Sequence, residues 1–335
     1  MPAGRGPVTI ASSVDAAFLP FVGPVAASIG AYASPDRPID YRVFYSGPES
    51  AASKALDGYR AGPLTVRLIP APERFEAYRG RSVMGTATLV RLAAPELMAD
   101  LDRVVFIDVD LVVLADIGAL ADVDLAGNPM AAAIDLTLYG WHHDQRTVPS
   151  RNPLHDIDRH LKERIGLGPS DWYDYFNTGV AVLDLAALRR EGFTAGAMEF
   201  IDRRAEELPW LDQDSLNILL KGRIAPLDPR WNAMTEPLNR PSLTGLAPQI
   251  ADAVIESRTA PKIIHYAGHL KPWKRTKYFR GAGEWWHFAN MSPTRDIIRA
   301  DYRELVRRLR RLPDPRTGLA TMAAGWRHRR ARVAP

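Results

Sequence analysis

Two carboxylates, Asp108 and Asp110, stand inside the otherwise apolar run VVFIDVDLVVL at residues 104–114. Ionised carboxylates are expensive to bury unless they are paired or hold a metal. Side chains two residues apart on a strand point to one face. Both should therefore converge on one cation at a strand's C-terminal end, where open α/β sheets bind ligands. Oxygen ligands favour a hard cation, Mg2+ or Mn2+. The plainer alternative is a pair that caps the next helix or pairs with arginine. His265, in IIHYAGHLKPW, ends another predicted strand. One imidazole nitrogen beside two carboxylates suits Mn2+. Lys271 follows beside Pro272 and Trp273, where an ammonium can neutralise a phosphate. Taken singly, these are an ordinary structural histidine and a surface lysine.

Such residues need a scaffold, and the apolar runs supply one. VTIAS (8–12), IDYRVFYS (39–46), LTVRLIP (64–70), RVVFIDVD (103–110), PMAAAID (129–135) and TGVAVLDL (178–185) read as strands. Helix-length segments lie between several of them: one to about Tyr32, one from Glu49 to Tyr59, and TATLVRLAAPELMADL, which Pro95 should break in two. This alternation predicts an α/β fold with a mainly parallel sheet flanked by helices. Between Tyr139 and Tyr175 the pattern fails. The stretch is polar and aromatic, with Trp141, His142, His143, Trp172 and Tyr173, and reads as a functional loop. LDQDSLNILLKG then reads as a helix closed by Gly222.

The chain has 335 residues and no cysteine, which excludes disulfides, thiolate nucleophiles and cysteine-ligated zinc. No apolar run reaches the ~18 residues of a membrane span. The stretch from Ala16 to Ala33 is faintly leader-like, but Asp15, Pro20 and Pro24 interrupt it. Net charge is +4, unevenly spread: from Arg295 onward twelve arginines face four acidic residues, so the tail carries about +8 and the body about −4. In RELVRRLRRL, Leu305, Leu309 and Leu312 share one helical face. This suits either a membrane-surface helix or a basic helix packed on the body by its leucines.

Together the motifs resemble glycosyltransferase family 8, retaining enzymes that take a sugar from a nucleotide-sugar donor. The residues that carry the resemblance are VVFIDVDLVV, AAIDL (132–136), YFNTGVAVLDL (175–185), LDQDSLNILL (211–220) and HYAGHLKPW (265–273), in the family's order and spacing. The resemblance implies a GT-A fold over residues 1–290, with a nucleotide-binding half to about 135 and an acceptor half from 136. Residues 291–335 would be a basic helical tail. It implies Mn2+, with Mg2+ as the alternative, held by Asp108, Asp110, His265 and the diphosphate of a UDP-sugar. Val109, Lys271 and the backbone near Gly268 would also contact the donor. Ala11 and Asp15 fall where the family holds uracil and ribose. Asn177, Asp135, Asp212 and Gln213 would line the sugar and the reacting face, with Asp212 also capping its helix in part.

The chemistry this implies is transfer of a hexose, glucose or galactose, to a glycan, lipid-linked or other acceptor. A cation and a lysine would stabilise the departing diphosphate. Gln213 occupies the position where a nucleophile would be sought. Same-face attack, with the leaving phosphate accepting the acceptor's proton, is the expected route. Three positions depart from the family's pattern. Ser13 and Val14 stand where acidic residues are frequent, and Leu89 where an arginine is expected, with Arg91 or Arg81 as substitutes. The expected setting is cytoplasmic, with peripheral contact at the inner membrane face through the tail.

Three rival readings exist. An aspartyl-phosphate hydrolase also carries D-x-D after an apolar strand. Its motif lies near the chain start, however, and no later acidic pair after a glycine accompanies it here. A nucleotide-sugar binder that has lost turnover is the second, and the presence of all the metal and phosphate positions argues against it. A nucleic-acid binder would interleave aromatics with its basic tail, which apart from Trp326 lacks them.

Overall fold

The computed structural model describes residues 6–78, 86–147, 156–168, 173–268, 270–275 and 277–310. Their strands are, in chain order, β1 (Val8–Asp15), β2 (Ile39–Ser46), β3 (Arg60–Ala61), β4 (Leu64–Pro70), β5 (Arg103–Ile107), β6 (Leu111–Val113), β7 (Met130–Ile134), β8 (Phe176–Asp184), β9 (Ile224–Pro226), β10 (Ala233–Met234) and β11 (Ile263–His265). Eight of them form one sheet in the order β3-β4-β2-β1-β5-β8-β7-β9, and the other three a small sheet, β10-β11-β6. In the large sheet β1, β2, β4 and β5 run parallel, as do β7 and β9. β3 opposes β4, and β8 opposes both of its neighbours. Helices flank the sheet, as the alternating pattern predicts.

The central strands read as near-continuous apolar runs because both faces are covered. Val8, Ile10 and Val14 of β1, with Val105 and Ile107 of β5, pack on one side against Val22, Val25 and Ile29 of the helix Val22–Tyr32. Ala11 and Phe106 point to the other side, against Leu89, Leu92 and Ala93 of the helix Leu89–Leu97.

Four expectations need correction. Strand β5 ends at Ile107, and Asp108–Asp110 form the crossing from the large sheet to β6 in the small one. The aspartates therefore do not share a strand face. They converge because the backbone is pinned on either side of the crossing: Asp108 N donates to Gly179 O at 2.8 Å and Tyr266 N to Asp110 O at 2.7 Å. Pro95 does not split its helix, which runs unbroken from Leu89 to Leu97. A proline removes one N–H and crowds the carbonyl four residues back. Here the helix ends two residues later, so little of the ladder is lost.

The stretch after Tyr139 is not an irregular loop at its start. The helix Leu136–Thr147 occupies it, and Ile157–Ile165 continues helically to the left-handed Gly166. Apolar Leu136, Leu138, Tyr139, Ile157 and Leu161 bury against Tyr175 and Val254. This helical face was hidden by the polar residues between. Trp172 lies outside the described residues.

The tail begins as the helix Arg295–Arg310. Ile298 is buried in a cluster with Trp285 and Phe288, and the rings of Trp286 and Tyr302 meet edge-on at 4.7 Å. The described part of the tail is thus packed on the body, with Arg295, Arg299, Arg303, Arg307 and Arg308 exposed. Leu312 and Trp326 fall outside the described residues.

Candidate active site

Asp108, Asp110 and His265 come together. His265 Nε2 lies 3.2 Å from Asp110 Oδ1 and 3.6 Å from Asp108 Oδ2. The three side chains form a group that could hold a metal ion. Strand β11 delivers the imidazole, because His265 pairs with Leu111 across β6 and with Met234 across β10. The ring is 2 % exposed, whereas the Asp108 and Asp110 side chains are 38 % and 14 % exposed. The pocket therefore opens on the carboxylate side. His265 Nδ1 meets Asn232 Oδ1 at 2.8 Å. An amide oxygen only accepts, so Nδ1 carries a proton and Nε2 is the nitrogen turned towards the carboxylates.

Lys271 Nζ pairs with Asp110 Oδ2. Burial alone would raise the Asp110 pKa, but the Lys271 ammonium and His265 outweigh it and hold the carboxyl well below the usual range. The segment behind Lys271 is anchored by Trp273, whose ring stacks on Phe21 at 4.2 Å. Gly268, at φ +76°, makes the left-handed turn between His265 and Lys271, a conformation that favours glycine.

Arg91 answers the missing arginine. It is 4 % exposed and lies over the Phe106 ring, 4.8 Å from its centroid. One guanidinium nitrogen donates to Asp108 Oδ1, and another to Asp212 Oδ2 and, at 3.2 Å, to Thr178 Oγ1. Arg81 lies outside the described residues. Burial raises the Asp212 pKa to about 6 against the opposing pull of Arg91, with Asp108 adding to the rise. Asp212 lies in the first turn of its helix, whose cap position is Trp210 with no side-chain cap hydrogen bond, so the expected partial cap is not made and the carboxylate holds Arg91.

Asp135, Asn177 and Gln213 form a second face. Asp135 Oδ1 caps the following helix by accepting from Leu138 N at 2.9 Å. Its Oδ2 accepts from Asn177 Nδ2 at 3.1 Å and Gln213 Nε2 at 3.0 Å. Gln213 Oε1 accepts from Asn177 Nδ2 at 3.0 Å and Thr178 N at 3.3 Å. Gln213 Nε2 also reaches Tyr175 Oη at 3.1 Å, and that hydroxyl donates to buried Asp214 at 2.6 Å. A break in the ladder brings these groups to the rim. Ala132 faces Ala181 across β7 and β8, but Ala133 already faces Asn177. Such irregularities re-aim side chains near active sites.

Ala11 and Asp15 sit apart from this cluster along β1. Ala11 is fully buried within β1, on the face packed against the helix Leu89–Leu97. Asp15 closes the turn after the strand by accepting from Ala17 N and Phe18 N, both at 3.0 Å. Val109 is 5 % exposed and packs in the core between the two aspartates. Sequence reasoning missed Tyr175, Asp214 and Asn232, buried polar side chains whose partners lie far along the chain. Glu236 was missed too: its carboxylate accepts from Trp141 Nε1, and burial raises its pKa against that bond. With Leu136, Thr137 and Leu270 it lines a cavity of about 200 Å³; Leu136 and Leu270 directly flank Asp135 and Lys271 in the chain.

Comparison with known proteins points to one family. The profile of Glycosyl transferase family 8 matches residues 9–277. General stress protein A of Bacillus subtilis (strain 168) is 31% identical over 209 residues, which is 60% of this chain and 64% of that protein. The chain thus spans slightly less than two thirds of that relative. Lipopolysaccharide 1,3-galactosyltransferase of Salmonella typhimurium is 26% identical over 300 residues, covering 85% of this chain and 81% of that protein. Among solved structures, galactosyltransferase LgtC with donor and acceptor sugar analogs superimposes with a TM-score of 0.68 at 27% identity, over 85% of this chain and 96% of that one.

Proposed function

Because this chain belongs to glycosyl transferase family 8, we propose that it is a retaining hexosyltransferase, moving glucose or galactose from a UDP-sugar to a glycan or lipid-linked acceptor. The observation that carries the reading is the meeting of Asp108, Asp110 and Nε2 of His265 beside Lys271, with Asp135, Asn177 and Gln213 building a second face.

The donor set of two carboxylates and one imidazole fits Mn2+, with Mg2+ as the alternative. Bound there, the ion would supply Lewis-acid stabilisation to the departing diphosphate. Lys271 would add a positive charge to the same leaving group, for which it would have to share or leave Asp110. Arg91 holds Asp108 in place from beneath the site. The carboxylate of Asp135 and the amide oxygens of Asn177 and Gln213 offer negative potential where the sugar ring becomes positive. Gln213 Oε1 already accepts two hydrogen bonds, which supports same-face attack over a covalent adduct on that amide. The acceptor's proton then passes to the leaving phosphate. We assign the donor to the half before residue 136, including Ala11, Asp15, Val109 and the backbone at Gly268. The acceptor belongs to the half from 136 to 290, beside the Glu236 cavity.

Among the described residues no helix is long and apolar enough to cross a membrane. The finer reading, peripheral contact with the inner membrane face, rests on the arginine-rich tail from residue 291. The test of function is turnover and thermal shift on UDP-glucose and UDP-galactose, with and without Mn2+. A ligand at 100 times its Kd should add ~2.7 kcal/mol to the native state. Stabilisation and hydrolysis that need the ion, and vanish in Asp110→Ala while its fold persists, are expected. Turnover unchanged in Asp110→Ala, or no response to either sugar, would overturn the reading.

A further inference from the structure

We infer that Asn232 is a positioning residue that fixes the proton on His265 and the orientation of Asn177 together, so that the cation cradle and the reacting face are set as one unit. The inference rests on reading Asp108, Asp110 and His265 as a divalent-cation site.

Asn232 is 1 % exposed and belongs to neither cluster by sequence. It ends the short turn Pro229–Asn232, whose first residue follows Asp228, and Asp228 caps the turn by accepting from Arg230 N at 2.9 Å. The next residues, Ala233–Met234, pair with Ile264–His265, which brings the Asn232 amide against the imidazole.

The sense of each hydrogen bond follows from groups with no freedom to reverse. Gly179 N can only donate, and it donates to Asn177 Oδ1 at 3.0 Å. The Asp135 carboxylate accepts from the other end of the same amide. Asn177 is therefore oriented from both sides. Asn232 Nδ2 donates to the fixed Asn177 Oδ1 at 2.9 Å and lies 3.4 Å from Asn177 O. With its nitrogen committed, Asn232 turns its oxygen to His265 Nδ1. An oxygen there demands Nδ1–H and so makes Nε2 the nitrogen offered to a cation, which displaces any proton held there when it binds. The backbone of β8 thus dictates, through two amides, which ring nitrogen faces Asp108 and Asp110. Partners that orient a ligating histidine in this way typically change metal affinity or activity by ~10–100-fold when removed.

Two substitutions separate the roles. Asp at 232 keeps an oxygen for His265 but has no N–H for Asn177; Ala keeps neither. The experiment uses the full chain without sugar. Ring-nitrogen NMR reads the His265 tautomer, assigned by loss of its signals in His265→Gln, and Mn2+ titration is followed by electron paramagnetic resonance. The unaltered chain and Asn232→Asp should both carry Nδ1–H and bind Mn2+ comparably. Asn232→Ala, or Asn232→Thr if the alanine variant does not fold, should lose the tautomer preference and bind Mn2+ ~10–100-fold more weakly. Asn232→Asp should lower kcat for UDP-sugar with little change in Mn2+ affinity. An Nε2–H tautomer in the unaltered chain, or an alanine variant that keeps both tautomer and affinity, would overturn the inference. A correct tautomer and affinity pattern without UDP-sugar turnover would instead sink the proposed function and leave the role of Asn232 standing.

Discussion

The Cα of Gly179 lies so close to the His265 ring that a Cβ built on it would fall 2.2 Å from Cε1 and 2.8 Å from Asp108 Oδ2. Neither neighbour can move freely, since His265 is held by Asn232 and Asp108 by Arg91. Gly179→Ala should therefore push the imidazole off its ligating position. Overpacking of this kind costs ~1–3 kcal/mol. The variant should fold with a lowered Tm and lose most of its Mn2+ affinity. Unchanged titration would mean that the ring has more room than its contacts imply.

Removing Arg91 should be the costlier change. Its loss strands Asp212, whose side chain is 5 % exposed, and breaking a buried pair by deleting one partner costs ~3–5 kcal/mol. The sign with pH follows from Asp212, which burial lifts to about 6 even with Arg91 present. Its ionised form is the one that suffers, so the penalty of Arg91→Ala should shrink in acid and grow above neutrality. Urea unfolding at pH 5 and pH 8 measures this. Arg91→Lys should be intermediate, because a lysine cannot fork between two carboxylates.

Asp228 gives a penalty that also fades in acid, but from a depressed rather than a raised carboxyl. Burial would raise its pKa, but hydrogen bonds from Arg230 and Lys262 bring it down to about 2. A carboxyl depressed in the native state stabilises above its unfolded pKa of ~3.9, and that contribution disappears as pH falls through 4 towards 2. Being partly solvated, with its side chain 26 % exposed, the site should be worth no more than ~1 kcal/mol. Asp228→Asn should lower Tm at pH 7 and have no effect near pH 2.

Truncation after residue 312 should spare turnover on a soluble acceptor and weaken binding to vesicles rich in anionic lipid. Basic residues near such a surface contribute ~1 kcal/mol each, and seven of the tail's twelve arginines precede residue 312, so reduced rather than abolished binding is expected. Sedimentation with the vesicles is the measurement. Equal binding by both chains would leave the distal tail without a membrane role.

The strands were legible where apolar periodicity is strong: IDYRVFYS and LTVRLIP coincide with β2 and β4 to the residue. The meeting of Asp108, Asp110 and His265 was legible as well, although the reason given for it was not. A strand with both faces buried gives no period-2 signal to mark its end, so the break after Ile107 is invisible in VVFIDVDLVV. Asn232 and Tyr175 were illegible for another reason. A polar side chain buried between distant segments looks, in sequence, like any turn asparagine or core tyrosine. Arg91 was visible only as a possible substitute, because its two carboxylates lie 17 and 121 residues away.

Strand β8 runs against both of its neighbours, so the excursion between β7 and β8 departs from and returns to the same rim of the sheet. Its two ends, at Asp135 and Tyr175, are tied by a backbone hydrogen bond of 3.0 Å. The described helices of that excursion sink Leu136, Leu138, Tyr139, Ile157 and Leu161 against Tyr175 and Val254, so a change of shape there would be transmitted through the closed clasp to the rim where Asp135 and Tyr175 stand.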